Sequence, residues 1–171
     1  MRARTLPDAQ HLASEECEAV KDPFIILIDG QCSLCRREAA FLQRLDAGRG
    51  RLRILDITAN DFDPSCYAPM DELMGQIHGV APDGRLLTGM EVFRRAYRAV
   101  AEGGGFVARL MSAGWRITGW PVVRPIADAI YRWFARNRVT ISACAARLIG
   151  QGPELLCDGD RCGPRPTQRR G

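Results

Sequence analysis

Two cysteines separated by two residues, Cys32-Ser33-Leu34-Cys35, are the residues of this 171-residue chain best suited to covalent chemistry, and Asp29 stands three residues before the first. A thiolate attacks a disulfide where a thiol does not, and a second thiol two residues on can reach back to resolve the mixed disulfide. That chemistry needs a place where the first sulfur is held as an anion. The free amide N–H groups and positive end of a helix N-terminus supply one. Asp29 is a candidate proton carrier, or a charge acting against the thiolate. Arg36 and Arg37 would favour the anion, although cations in a first helical turn oppose the helix dipole; as plain solvated residues they would do neither.

The elements around the pair can be read from periodicity. Phe24-Ile-Ile-Leu-Ile28 is a run of five apolar residues, the pattern of a strand buried on both faces. Asp29-Gly30 ends it at a turn. After the cysteines, Ala39, Leu42 and Leu45 recur at helical spacing with Phe41 beside them. The pair therefore falls where a central strand hands over to a helix, on a loop held by rigid elements. Asp46–Gly50 ends that helix, and Arg51–Ile57 reads as a second strand, parallel to the first through a right-handed crossover. Asp61–Pro69 is a loop with two prolines, followed by a short helix over Met70–Gly75. Gln76–Val80 and Arg85–Thr88 flank Asp83-Gly84 as a hairpin. A helix from about Glu91 to Ala101 carries Val92, Phe93, Ala96, Tyr97 and Val100 on one face.

Beyond Gly103–Gly105 the pattern predicts three more helices. One covers Phe106–Trp115. The next begins at Pro125, with Ile126, Ile130 and Phe134 on one stripe and Tyr131 beside them, and the last covers Thr140–Ile149 with Cys144 on its small-residue side. Trp115, Trp120 and Trp133 are expected to pack this extension. The expected architecture is α/β: a small mixed sheet of about four strands flanked by helices, with an α-helical C-terminal extension over about residues 104–150. Residues 1–22 are expected to form a flexible arm, 23–150 a single domain, and 151–171 a largely disordered tail.

The segment around the cysteines resembles the DCC family of thiol-disulfide oxidoreductases, whose Asp-x-x-Cys-x-x-Cys signature corresponds here to Asp29, Cys32 and Cys35. The resemblance continues through Asp56, the Asp83-Gly84…Gly89 segment and Tyr131…Ala135-Arg136-Asn137-Arg138, covering roughly residues 24–140. It implies a thioredoxin-like fold and protein-disulfide reductase activity. Family members often carry Pro after the first Cys, where this chain has Ser33. Thioredoxin-like proteins usually place a cis-Pro just before the third strand, facing the cysteines; here that position reads Met74-Gly75-Gln76. Either the Met74 backbone serves the substrate in its place, or the cleft differs.

Composition narrows the alternatives. Hydrophobic residues at 46% and charged residues at 26% are globular values. Residues 94–147 hold ten Arg against two acids, Glu102 and Asp128, a bias that attracts nucleic acid or anionic membrane unless the Arg stems simply cover apolar surface. No nucleic-acid motif accompanies it, so the expected reading is Arg stems covering apolar surface, with no nucleic-acid partner; no apolar run suits an integral membrane segment. The first ten residues lack the apolar centre of a signal peptide, which leads to the expectation of a cytoplasmic protein.

Seven cysteines cannot all pair within the chain. Cys17, Cys66 and Cys144 read as incidental or packing residues, and His78 as an ordinary strand histidine. Cys157 and Cys162 are either a second dithiol or tail thiols about an Asp-Gly turn. Asp56 either approaches the site or caps its strand. The leading functional reading is a thiol-disulfide oxidoreductase with Cys32 as nucleophile and Cys35 as resolving thiol, needing no bound cofactor. Its substrate would be a disulfide-containing protein or small thiol, with a dithiol or reductase as electron donor. The alternative is a metal-binding interaction module, zinc or metal–sulfur, using the same pair with the basic helices. A structural zinc site wants four ligands, and only His11 and His78 add to the cysteines.

Overall fold

A computed structural model of the chain describes residues 23–150, 155–158 and 161–164. Strand β1 (Phe24–Ile28) is buried along its whole length, as five consecutive apolar residues require. It hands over through Asp29-Gly30-Gln31 to helix α1 (Ser33–Asp46). Strand β2 (Leu52–Asp56) returns parallel to β1, with Ile26 opposite Ile54. Helix α2 (Met70–Gly75) follows, and strands β3 (His78–Val80) and β4 (Leu86–Thr88) form the hairpin expected about Asp83-Gly84. The sheet order is β2-β1-β3-β4, with β3 antiparallel to β1.

The two faces of β1 feed two cores. Phe24, Ile26 and Ile28 pack with Ala39 and Leu42 of α1 and with Val92, Ala96 and Val100 of helix α3 (Met90–Ala101). Ile25 and Leu27 pack on the other side with Ile57 and Leu73. This is the thioredoxin-like α/β arrangement: a four-stranded mixed sheet flanked by helices, with the cysteines at the end of its central strand.

The helical extension differs from expectation in three ways. Helix α4 runs Phe106–Ile117. A single 26-residue helix α5 (Arg124–Ile149) replaces the two predicted after Pro125. No Gly or Pro interrupts residues 126–149, so nothing stops propagation once Pro125 has started it. Its packed line is Tyr131, Phe134, Ala135, Arg138 and Ser142, while Ile126 and Ile130 are exposed. Of the three tryptophans only Trp115 packs, stacked on Phe93 at 5.1 Å and on Tyr97 at 5.3 Å; Trp120 and Trp133 are 65% and 61% exposed.

The tail expected to be largely disordered carries strands β5 (Leu155–Asp158) and β6 (Arg161–Pro164). They pair antiparallel, with Cys157 opposite Cys162, and Gly159-Asp160 stand between them in the sequence. A Gly-led two-residue link between short runs is itself a hairpin signal, and β6 lies along β2. The expected arm over residues 1–22, with Cys17, lies outside the described residues.

Candidate active site

The turn that delivers Cys32 is lashed from both sides. The Asp56 carboxylate, at the end of β2, accepts the Gly30 N–H at 2.9 Å and both the N–H and hydroxyl of Thr58. Asp56 thus approaches the site by fixing its entrance. A Cβ at residue 30 would lie 1.8 Å from Asp56 Oδ2, so only glycine permits this contact. Gly30→Ala is expected to displace the carboxylate and lower unfolding stability by roughly 1–3 kcal/mol in a urea titration. From the other side Arg36 donates to the Gly30 carbonyl at 2.9 Å.

Cys32 is the N-cap of α1. Its backbone is extended (φ −80°, ψ 112°) and its Sγ accepts the Cys35 N–H at 3.2 Å. A sulfur placed there meets an orphan helix donor that a side-chain oxygen satisfies in most caps, and an anion there gains from the helix dipole. The hydrogen bond with the Cys35 thiol is the largest influence, and it, the Cys35 N–H, the Ser142 hydroxyl and the Arg138 charge together draw the Cys32 thiol down from 9.0 to about 6, against the opposing effect of burial. Cys35 moves the opposite way, held protonated by its hydrogen bond to Cys32, by burial and by the neighbouring sulfur charge. The two thiols are therefore chemically unlike: one an anion near neutral pH, the other a retained proton donor.

Helix α5 covers this pair. Ser142 Oγ accepts the Ser33 N–H at 3.0 Å, the two serine hydroxyls meet at 2.9 Å, and Ser33 donates to the Ser142 carbonyl at 3.1 Å. The Ser33 N–H used here is the one a proline would lack. Arg138 binds the Asp29 carboxylate at 3.0 Å and donates to the Met74 carbonyl at 3.0 Å. Tyr131 accepts the Ile77 N–H at 2.8 Å, with its phenol pushed up to about 12 by burial. The segment before β3, where a cis-Pro would stand, is thus held by α5. The Met74 carbonyl accepts from Arg138 in that segment.

Asp29 is buried, its carboxylate shared between the Gln31 N–H at 2.9 Å and Arg138. It lies near the pair and anchors Arg138. Arg37 does not face the sulfurs: it donates to the Ile149 and Gly150 carbonyls at the end of α5, where a cation suits the helix C-terminus. His78 is fully buried in β3, its Nδ1 3.0 Å from the Gln76 carbonyl. Cys144 is free and exposed. Cys66 is not incidental: it is disulfide-bonded. Among the described residues no cluster of three or more His, Cys, Asp or Glu forms around the pair.

A cavity of about 400 Å³ opens beside the pair, between β1, α1, α3, α4 and α5. Cys35 lines it, with Leu34, Ile77, Phe93, Trp115 and Phe134. Glu38 lines it too, accepting the Tyr97 hydroxyl at 2.8 Å, with its carboxyl pushed up by burial. Glu38 was missed in the sequence although it interrupts the apolar line Cys35, Leu42, Leu45. Ser142 gave no signal, being a small polar residue in a helix. Removing its hydroxyl tests its part. Ser142→Ala is expected to move the midpoint of Cys32 alkylation up by roughly half a pH unit or more, since a net hydrogen bond is worth about 1 kcal/mol and 1.36 kcal/mol is one unit.

A dithiol at a helix N-cap, at the carboxyl end of the central strand of a thioredoxin-like sheet, defines the class: a thiol–disulfide exchange protein. The match to known proteins agrees. The family model for DCC1-like thiol-disulfide oxidoreductases matches residues 26–144, and the chain belongs to that family. It is 34% identical over 119 residues to an uncharacterised chloroplastic protein of Arabidopsis thaliana, a match covering 68% of this chain and 51% of the relative. The chain therefore spans about half the length of that curated relative. No solved structure matches it.

Proposed function

We propose that the protein reduces disulfides by dithiol–disulfide exchange, with Cys32 as nucleophile and Cys35 as resolving thiol. The observation that carries this reading is the placement of Cys32 at the N-cap of α1, its Sγ accepting the Cys35 N–H at 3.2 Å, a geometry that draws Cys32 down to about 6 while Cys35 is pushed up. The Cys32 thiolate attacks one sulfur of the substrate disulfide, forming a mixed disulfide and expelling the other sulfur as a thiolate. Cys35 then attacks Cys32 Sγ, and its proton passes to the departing substrate sulfur. Reduced substrate leaves and Cys32–Cys35 is oxidised. A reducing dithiol resets the pair by attacking Cys35, whose side chain lines the cavity. Cys32 is then the leaving group, and a thiol of low pKa leaves faster.

The reduction potential tests this reading through its pH dependence. Below about pH 6 reduction of the pair takes up two protons; above it only Cys35 keeps one. Because a tenfold change in a two-electron equilibrium is 29.6 mV, the potential should fall by about 59 mV per pH unit below the break and about 30 mV above it. The lowered Cys32 pKa makes stability of the reduced form rise with pH between about 6 and the unfolded thiol's pKa, while the raised Cys35 pKa lowers it above that. The Cys32 contribution is fully present above the unfolded thiol's pKa and is lost as pH falls through about 6. A slope that stays at about 59 mV per pH unit through neutral pH, with no break near 6, contradicts the assignment of Cys32 as the resident thiolate.

A further inference from the structure

Twelve of the fourteen large apolar side chains exposed among the described residues fall between Phe106 and Ile149, so the bare apolar surface belongs to the helical extension. Both helices there are built the same way. On α4 the line Phe106, Leu110, Ile117 is exposed, Ala108 and Ser112 lie on the packed side, and Arg109 and Arg116 occupy a third side. On α5 the line Ile126, Ile130, Trp133 is exposed, Tyr131, Arg138 and Ser142 pack, and Arg132, Arg136 and Arg147 occupy the third side. The expectation that Arg stems cover this apolar surface does not hold: Phe106 is 79% exposed, and the link between the helices adds Trp120 and Val122.

Charge identifies what fits. Residues 106–149 contain seven Arg and one acid, Asp128, which lies near Arg94 at 3.9 Å and Arg124 at 3.7 Å. Arg138 is committed to Asp29. The other five, Arg109, Arg116, Arg132, Arg136 and Arg147, are exposed and have no acidic partner among the described residues. A second copy of the chain seated here would bring the same arginine rows against these, since a two-fold contact repeats one patch on both sides. An anionic lipid surface meets both requirements, phosphate for the guanidinium rows and an acyl boundary for the apolar lines. Trp120 and Trp133 suit that boundary, being apolar in body with a polar N–H. No helix among the described residues is long and apolar enough to cross a membrane, so the geometry is that of helices lying in the interface.

We propose that the α4–α5 face binds the surface of anionic membranes, seating Trp120, Ile130 and Trp133 at the headgroup boundary. The test uses the whole protein with vesicles of phosphatidylcholine, alone or mixed with phosphatidylglycerol. Mixed vesicles are expected to bind at least ~10-fold more tightly than phosphatidylcholine alone, with salt weakening the interaction. Tryptophan emission should shift to the blue on binding. Trp120→Glu and Ile130→Glu, at exposed positions outside the cavity, should each weaken vesicle binding about tenfold. An unchanged Cys32 titration would report an intact fold. Absence of binding to mixed vesicles overturns the proposal. So does a native dimer that Trp120→Glu dissociates, because a second copy would then be what covers this face.

Discussion

Cys32→Ser is expected to abolish disulfide exchange, and Cys35→Ser to leave the protein covalently joined to its substrate. The first loss should be on the order of 10³-fold or more, as expected when the nucleophile is taken from groups that act as a unit. The second follows from the geometry. Cys32 sits at the helix cap with its thiol drawn down to about 6, so on the proposed reading it reacts first. Cys35, three residues on in the same helical turn, is the side chain that returns to its sulfur. Without Cys35 the mixed disulfide has no internal route to resolution and should accumulate in non-reducing mass spectra. With Cys32 intact, iodoacetamide should alkylate it along a curve rising through about pH 6, while Cys35 stays unmodified until far higher pH. Trapping by Cys32→Ser and none by Cys35→Ser would reverse the assigned roles.

Arg138→Met is expected to be the most damaging change outside the cysteines. The Arg138–Asp29 pair is nearly buried, its side chains 12% and 9% exposed. Removing the guanidinium leaves Asp29 as an uncompensated charge, a change that costs roughly 3–5 kcal/mol when a buried pair loses one partner. It also frees the Met74 carbonyl and takes a positive charge away from Cys32. The Cys32 alkylation midpoint should therefore move up as unfolding stability falls. Asp29→Asn combined with Arg138→Met should recover much of the stability, because no buried charge is then left alone. It should not restore the alkylation midpoint. That split separates the structural part of Arg138 from its part at the sulfur, and parallel recovery of both would contradict it.

Most of the sheet was legible because its signals are local. Five apolar residues before Asp29-Gly30, helical spacing after Cys35 and an Asp-Gly turn each specify one element. The cysteine pair declared itself by spacing and by its place after a strand. What α5 does was not legible. Ile126, Ile130 and Phe134 make as good a stripe as Tyr131, Phe134, Ala135 and Arg138, and periodicity alone does not say which line faces the sheet. The choice is made by tertiary contacts: Arg138 to Asp29, Tyr131 to Ile77 and Ser142 to Ser33, spanning 54 to 109 residues. The same cause hid what holds the segment before β3. Arg138 was visible as part of the resembling stretch, but nothing in it pointed to the Met74 carbonyl.

The cavity beside Cys35 and the bare face of α4 and α5 share an origin in this extension. Its packed line closes the site and its second apolar line is left over. A helix covering a dithiol needs only one such line, and the second is the one proposed to meet anionic membranes.

The most direct test of the central claim is an equilibrium redox titration of the reduced protein in glutathione buffers, with disulfides mapped by mass spectrometry. A Cys32–Cys35 disulfide that forms and breaks reversibly at one defined potential is the result predicted here. If that pair forms no disulfide while Cys157 or Cys162 responds instead, the geometry at the head of α1 is not that of a working dithiol.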